Sequence, residues 1–233
     1  MGVQARWEYE LDWPGVTGGF VGRAAPEERD EVLEAALAQM AGERTLIDSQ
    51  QVHRADVAVI REEALRHGSV QIGGVDALVT NAKEVALAIY VADCLAIFLG
   101  HDAAPAVGLA HAGWRGLAAG MPAGLVRTAL EAFDGNADDL RIALSPCIRG
   151  CCFEVGEEVA EQFEGIEGAV DRSRETPHMD MIAVATAQLR ESGIAEDRIE
   201  VIDGCTRCDP KRFASYRWDP ERCGRNVALV GLA

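Results

Sequence analysis

The chain has 233 residues, 48% of them hydrophobic, and a formal charge of −16 from 22 basic and 38 acidic side chains. That length suffices for a substantial core in a single domain over residues 1–233, and the acidic balance argues against a nucleic-acid or anionic-membrane partner, which would need a basic face against phosphate. No apolar run approaches the ~20 residues that cross a bilayer, and Met1 to Trp13 carries Glu8, Glu10 and Asp12 in place of a basic and then apolar leader, so a cytoplasmic protein with small-molecule partners is expected.

Pro26 to Met40 is predicted as the first helix: acidic residues fill its opening turn, Val32, Leu33, Ala36, Leu37 and Met40 recur at helical spacing, and Gly42 stops it. Short aliphatic and β-branched runs follow at Thr45–Ile47, Val57–Ile60, Ala77–Thr80, Val85–Val91, Leu95–Leu99 and Ala106–Ala110. These read as strands, several fully buried. A second helix is expected from Leu117 to Phe133 and a strand from Leu140 to Leu144, ending at Ser145-Pro146. Helices resume at Gly156–Phe163 and Met181–Ser192, before strands at Ile199–Ile202 and Val227–Leu232. The pattern is mixed α/β, of α+β type. Because strands cluster in the first half, two packed sheets with helices outside are expected rather than a regular doubly wound sheet. No internal repeat, linker or low-complexity tract divides the chain.

Three segments carry the candidate chemistry: Gln51-Val52-His53, Ala92-Asp93-Cys94 and His111-Ala112-Gly113-Trp114-Arg115-Gly116. Each delivers one ligand from a strand end, His53 at the entry to a strand, Cys94 after Val85–Val91 and His111 after Ala106–Ala110. Imidazole nitrogen and thiolate sulfur suit zinc or copper better than magnesium or calcium, and three protein ligands leave a fourth position open. A buried cysteine with two hydrogen-bonded histidines accounts for the same residues, as does a Cys94 nucleophile activated by His111 or His53. Asp93 could orient a ligating imidazole or cap a turn. Arg115 offers a planar fork to phosphate or carboxylate beside the ligands.

Seven cysteines, an odd number in a chain without an export signal, read as free thiols or ligands instead of a disulfide framework. Cys205-Thr206-Arg207-Cys208 with Cys147, Cys151 and Cys152 could form a structural zinc site. The adjacent Cys151-Cys152 pair and the lack of two matched C-x-x-C knuckles favour ordinary semi-buried thiols, and Cys223 has no evident use. His67, His101 and His178 read as solvated or capping. Arg217 and Arg225, before the last strand, could line an anion-accepting cleft or sit in a solvated loop.

These segments, together with Asp76-Ala77-Leu78-Val79-Thr80, Ser145-Pro146-Cys147-Ile148, Phe153-Glu154-Val155-Gly156, Cys205-Thr206, Ser215-Tyr216-Arg217 and Gly224-Arg225, span most of the chain. In that order they resemble the family variously called multicopper polyphenol oxidase (laccase-like), domain of unknown function 152 and zinc-dependent purine nucleoside phosphorylase. The resemblance implies a four-layer α/β/β/α fold with two mixed sheets, akin to a cysteine-hydrolase-like toxin domain. It implies one zinc or copper ion on His53, Cys94 and His111, with phosphorolysis of adenosine, inosine and methylthioadenosine and an accompanying adenosine deamination. The chain departs from the family pattern where Arg-x-Gly-Gly-x-Ser is usual: only Gly18-Gly19-Phe20-Val21-Gly22-Arg23 stands there, which shortens the expected N-terminal lid. Ser145-Pro146 replaces Gly-Pro, and Phe213-Ala214-Ser215 replaces Phe-Phe-Ser.

Four readings follow. In phosphorolysis, Cys94, His53, His111 and Arg115 form the catalytic group, and Arg115, Arg217 and Arg225 hold phosphate. Phenol oxidation by copper is disfavoured, since the chain has 5 histidines and no His-x-His pair. A metal-free cysteine amidase or deamidase would use Cys94 and His111, and a zinc-dependent scaffold would have no turnover. The sequence leaves open the oligomeric state and whether a partner chain completes the cleft.

Overall fold

A computed structural model of the protein describes residues 5–40, 42–63 and 68–233. It begins with β1 (Trp7–Glu10), β2 (Val16–Ala24), α1 (Arg29–Gln39), β3 (Thr45–Ser49), β4 (Val57–Ile60), β5 (Val70–Ile72) and β6 (Ala77–Thr80). The middle of the chain is β7 (Val85–Val91), β8 (Leu95–His101), β9 (Ala106–Ala112), α2 (Trp114–Ala118), α3 (Met121–Phe133) and β10 (Leu140–Leu144). The last third adds α4 (Glu157–Ala160), β11 (Val170–Asp171), β12 (His178–Met179), α5 (Met181–Glu191), β13 (Ile199–Val201) and β14 (Arg225–Leu232). Two mixed sheets result, ordered β1-β2-β14-β7-β3-β5 and β13-β10-β8-β9-β6-β4, beside a small β11-β12 pair.

The period-2 alternation of β7 explains the layering. Val85, Leu87, Ile89 and Val91 enter the core between the sheets, where they meet Leu78, Phe98 and Leu109 of the other sheet. Ala86 and Ala88 point outward, small enough to seat Val32, Leu33 and Ala36 of α1. On the far side Leu95, Ile97 and Leu99 pack against Leu125, Val126 and Ala129 of α3 and Val184 and Leu189 of α5. Three stacked cores make four layers, α/β/β/α, as expected. Each fully buried Leu, Ile or Phe in them contributes about 1.5–3 kcal/mol of apolar transfer.

Several boundaries differ from the sequence reading. The helix expected over 117–133 is two helices, because Gly120 adopts a left-handed φ of 78° between them and Pro122 stands in the first turn of the second. β1 and β2 were not among the expected strands. A Cβ on Gly18 would stand 2.2 Å from the Leu229 carbonyl oxygen and one on Gly19 2.1 Å from that of Tyr9, so the neighbouring strands require these glycines. The short edge strand β5 is likewise additional. The helix expected over 156–163 begins as α4 and ends in a 3-10 turn. Among the described residues no helix is long and apolar enough to cross a membrane.

The connection 92–94 carries the chain from β7 in one sheet to β8 in the other, with Asp93 at a left-handed φ of 82°. At this edge of the sandwich the β3–β4 loop, the start of β6, the start of β8 and the end of β9 converge.

Candidate metal centre and its cleft

The β-register dictates which side chains meet. Ala77 pairs with Ala110 in the β6–β9 ladder, so Asp76 falls opposite His111, whose amide donates to the Asp76 carbonyl at 2.7 Å. Facing residues of an antiparallel pair share one side of the sheet. Their side chains accordingly meet, Asp76 Oδ1 to His111 Nδ1 at 2.8 Å, both buried. With Nδ1 engaged, Nε2 is the ring nitrogen left to serve the site. In the β8–β9 ladder Leu95 pairs with Ala112, which puts Cys94 beside Gly113.

His53 comes from a different direction. The sequence suggests the entry to a strand, but β3 ends at Ser49 and β4 begins at Val57, leaving His53 in the loop between them at a left-handed φ of 60°. Asp76 holds that loop. Its carboxylate accepts the amides of Val52 at 3.2 Å, His53 at 2.9 Å and Arg54 at 2.8 Å. Gln51 extends the sheet past the end of β3: its side-chain amide donates to the Tyr90 carbonyl at 2.7 Å and accepts the Tyr90 amide at 2.9 Å.

The donor atoms of His53, Cys94 and His111 all lie within 4.8 Å of one another. The two imidazoles meet edge to face, centroids 4.6 Å apart. Gly113 makes room for the group, since a Cβ there would stand 3.0 Å from Cys94 Sγ and 3.4 Å from His53 Cδ2. Two imidazole nitrogens and one sulfur aimed at a common point, with the space between them kept open, fit a transition-metal ion. Burial raises the Cys94 thiol pKa, but hydrogen bonds and charge from His111 and His53 outweigh it and bring the thiol down to about 7. Burial lowers the His111 imidazole pKa, and Asp76 and Cys94 more than reverse this, raising it to about 9. Burial also pushes the Asp76 carboxyl up, while the His111 ring and the Arg54 and His53 amides hold it below the usual value.

These groups lie in a cleft of about 630 Å³. Arg115, Arg217 and Arg225 all line it, as does Arg29 at the start of α1. Arg115 stacks 4.2 Å above the Trp114 ring. Arg217 donates to the Glu154 carbonyl at 3.2 Å and Arg225 to that of Gly224 at 2.9 Å. None of the ion pairs among the described residues involves these three arginines.

Asp93, read from sequence as an imidazole orienter or a cap, is a tie between loops. Its carboxylate accepts Thr206 Oγ1–H at 2.6 Å and the Arg217 amide at 2.7 Å. The orienting role falls to Asp76, which the sequence reading did not single out as functional. Its signal was the ladder position opposite His111, which emerges only once β6 and β9 are paired in register. Arg29 was missed because it reads as an ordinary solvated helix residue. His101 is a cap, accepting the amides of Ala103 and Ala104 at 3.2 and 3.1 Å, and His178 meets the Thr176 carbonyl at 3.0 Å. His67 lies outside the described residues. Cys151, Cys152, Cys205 and Cys208 come together, their sulfurs within 4.8 Å of one another. Cys147 is fully buried apart from them, and Cys223 is half-buried with its thiol toward the Gly224 carbonyl at 3.3 Å.

A family described as "Multi-copper polyphenol oxidoreductase laccase" matches residues 23–233. The chain is 31% identical to "Purine nucleoside phosphorylase YlmD" of Geobacillus stearothermophilus over 192 residues, covering 78% of this chain and 70% of that protein. It is 32% identical to "Adenosine deaminase RL5" of an unknown prokaryotic organism, covering 74% and 69%. It spans less than two thirds of some other curated relatives, 64% in one and 38% in two. The crystal structure of YlmD from Geobacillus stearothermophilus superposes with a TM-score of 0.83 at 24% identity, covering 100% of this chain and 99% of that one, and so shares its fold.

Proposed function

The chain belongs to the multi-copper polyphenol oxidoreductase laccase family, and from that premise we propose that it is a metal-dependent purine nucleoside phosphorylase. Adenosine, inosine and methylthioadenosine are its substrates, with adenosine deamination as a side activity. It acts in the cytoplasm as a single domain on nucleoside and phosphate.

One observation carries this reading. In a chain of net charge −16, the cleft beside the His53, Cys94 and His111 cradle is lined by one carboxylate, Asp93, and four arginines, of which Arg29 is paired with Asp30 and Arg115, Arg217 and Arg225 are in none of the ion pairs among the described residues. Both Asp93 oxygens are already engaged, by Thr206 and by the Arg217 amide. A local positive field inside an acidic protein draws a small anion to one place, as phosphate requires. Curated relatives named purine nucleoside phosphorylase and adenosine deaminase point the same way.

His53, Cys94 and His111 are the proposed ligands of zinc, with copper as the alternative ion for the same donors. When bound, the ion supplies a Lewis acid that polarises substrate. The protein's own groups do the remaining work. Arg115, stacked on Trp114, presents its fork to phosphate, and Arg217 and Arg225 add positive charge. Trp114, Phe153 and Tyr216 offer aromatic faces to a purine. A phosphate oxygen bonds to the anomeric carbon as the bond to the purine nitrogen breaks. The sugar leaves as ribose 1-phosphate, and the base takes a proton.

A second reading has its own support. Asp76 holds His111, and His111 lies within 4.8 Å of a Cys94 thiol brought down to about 7, the arrangement of a cysteine hydrolase. A dyad needs only one imidazole, however, and His53 is a second one aimed at the same sulfur. Phenol oxidation lacks donors: the described residues bring two histidines together in one group with Cys94, and the other potential metal group consists of cysteines alone. The deciding experiment incubates adenosine and phosphate with protein purified without added metal. Ribose 1-phosphate that requires phosphate and vanishes with Cys94→Ala and with chelation supports phosphorolysis. Turnover that survives exhaustive chelation yet stops on thiol alkylation would replace it with the hydrolase.

A further inference from the structure

Between β13 and β14, residues 202–224 cross the molecule without a helix or strand. A connection that long inside a folded domain needs something other than a sheet ladder to fix it. Asp93 anchors part of it through Thr206 and Arg217. Its first turn is held to the segment after β10 by an isolated backbone β-bridge of Cys147 with Cys205, in which the Thr206 amide donates to the Cys147 carbonyl at 3.0 Å.

At this junction four thiols converge from two turns. Cys151 and Cys152 come from the turn closed by the Cys152 and Phe153 amides on the Arg149 carbonyl. Cys205 and Cys208 come from the turn closed by the Cys208 and Asp209 amides on the Cys205 carbonyl. The sulfurs of Cys152 and Cys208 are 3.3 Å apart, and those of Cys151 are 3.7 Å from both Cys152 and Cys208. A tetrahedron of ~2.3 Å zinc–sulfur bonds sets its sulfurs ~3.8 Å apart, whereas a disulfide needs ~2.05 Å. All seven cysteines are free.

The Arg207 guanidinium lies beside Cys152, and the amides of Arg149, Arg207 and Cys208 lie beside Cys205, groups suited to neighbour sulfur ligands in a metal site.

We propose that Cys151, Cys152, Cys205 and Cys208 form a second, structural zinc site with four thiolate ligands. Each thiol gives up its proton to solvent as it binds. The coordination is closed, so the ion performs no chemistry on substrate and instead clamps two turns that shape the cleft. Ile148 and Phe153 flank one turn and Tyr216 and Arg217 follow the other, and all four line the cleft. The sequence reading raised such a site with Cys147 included but favoured ordinary thiols, because the adjacent Cys151-Cys152 pair lacks the second C-x-x-C of paired knuckles; the structure groups four of these cysteines and leaves Cys147 out. The inference is independent of the phosphorylase reading.

The test uses the full chain purified without a metal-affinity tag, with zinc measured per chain. About two equivalents are expected in the wild type, and about one each in Cys94→Ala and in Cys208→Ser. Should Cys208→Ser fail to fold, Cys94→Ala alone decides, by alkylation mapped to individual cysteines. Protection of Cys151, Cys152, Cys205 and Cys208 as one group, released together by chelator, sustains the site. Zinc-free Cys94→Ala, with these four cysteines alkylating at free-thiol rates or found as disulfides, overturns it.

Discussion

Asp76 and His111 face each other across the β6–β9 ladder, carboxylate to imidazole at 2.8 Å, and the same carboxylate gathers three amides of the loop that presents His53. One buried side chain thereby positions two of the three cradle residues. It links the start of one strand, the end of another and an irregular loop, none adjacent in sequence.

Asp76→Asn retains the size of the side chain but replaces one oxygen with an amide donor that cannot serve both His111 Nδ1–H and the backbone amides. Removing a partner of this kind lowers metal affinity about 10–100-fold. A buried amide left without an acceptor costs about 1–3 kcal/mol of stability. Chelator competition and thermal melts of the loaded protein measure the two effects. Unchanged metal affinity would show that the cradle does not depend on Asp76.

Gly113→Ala tests the space between the ligands. Gly113 has φ −82° and ψ 178°, extended backbone open to alanine, so the backbone tolerates the change. The new methyl would stand 3.0 Å from Cys94 Sγ. Turnover should drop about tenfold or more, scaled from the ~100-fold cost of a ~1 Å misplacement, with circular dichroism unaltered. A fully active, fully loaded Gly113→Ala protein would rule out the tight cradle.

Much of this was legible in the chain because periodicity reports burial. Val85–Val91 and Ala106–Ala110 announce themselves as strands, and His53, Cys94 and His111 stand at the ends of apolar runs or in the loop beyond one. Asp76 was not legible as a functional residue, because its meaning lies in register. The grouping of Cys151 and Cys152 with Cys205 and Cys208 was raised by the sequence but not favoured, since the two turns lie far apart in the chain and meet through long-range contacts such as the β-bridge of Cys147 with Cys205 and the Asp93 ties to Thr206 and Arg217. β2 carries Gly18, Gly19 and Gly22 inside its run, which weakens a strand pattern although this sheet requires Gly18 and Gly19 for close strand approach, and β1 is only 4 residues long.

In metal-free protein the Cys94 thiol should titrate near pH 7, against an ordinary value of 9.0. Thiolate absorbance, taken as the difference between wild type and Cys94→Ser, measures it directly. Because the folded value is depressed, the thiolate contributes stability present above the unfolded pKa of about 9 and lost as pH falls through about 7. His111 has the opposite sign. Its folded value is raised from 6.5 to about 9, so its contribution is full below 6.5 and lost as pH rises through about 9. Cys94→Ser should therefore destabilise the metal-free chain more at alkaline than at acid pH, and His111→Asn the reverse. A Cys94→Ser loss that does not shrink as pH falls through about 7, or a His111→Asn loss that does not shrink as pH rises through about 9, would contradict these shifts.

Arg115 stands apart from Arg217 and Arg225 because its guanidinium stacks 4.2 Å above an indole while theirs donate to the backbone carbonyls of Glu154 and Gly224, leaving its fork available. If it grips phosphate, Arg115→Met removes a charge-assisted pair of about 1.5–3 kcal/mol, a rise of roughly 10–150-fold in the KM for phosphate. Arg115→Lys keeps the charge but not the bidentate fork, and should fall between wild type and methionine. The KM for the nucleoside should stay within about twofold in both variants, since uniform binding of the other substrate is untouched. Steady-state kinetics with phosphate varied at saturating adenosine, then the converse, separates the cases. A rise confined to the nucleoside KM would assign Arg115 and Trp114 to the purine and transfer the phosphate to Arg217 and Arg225.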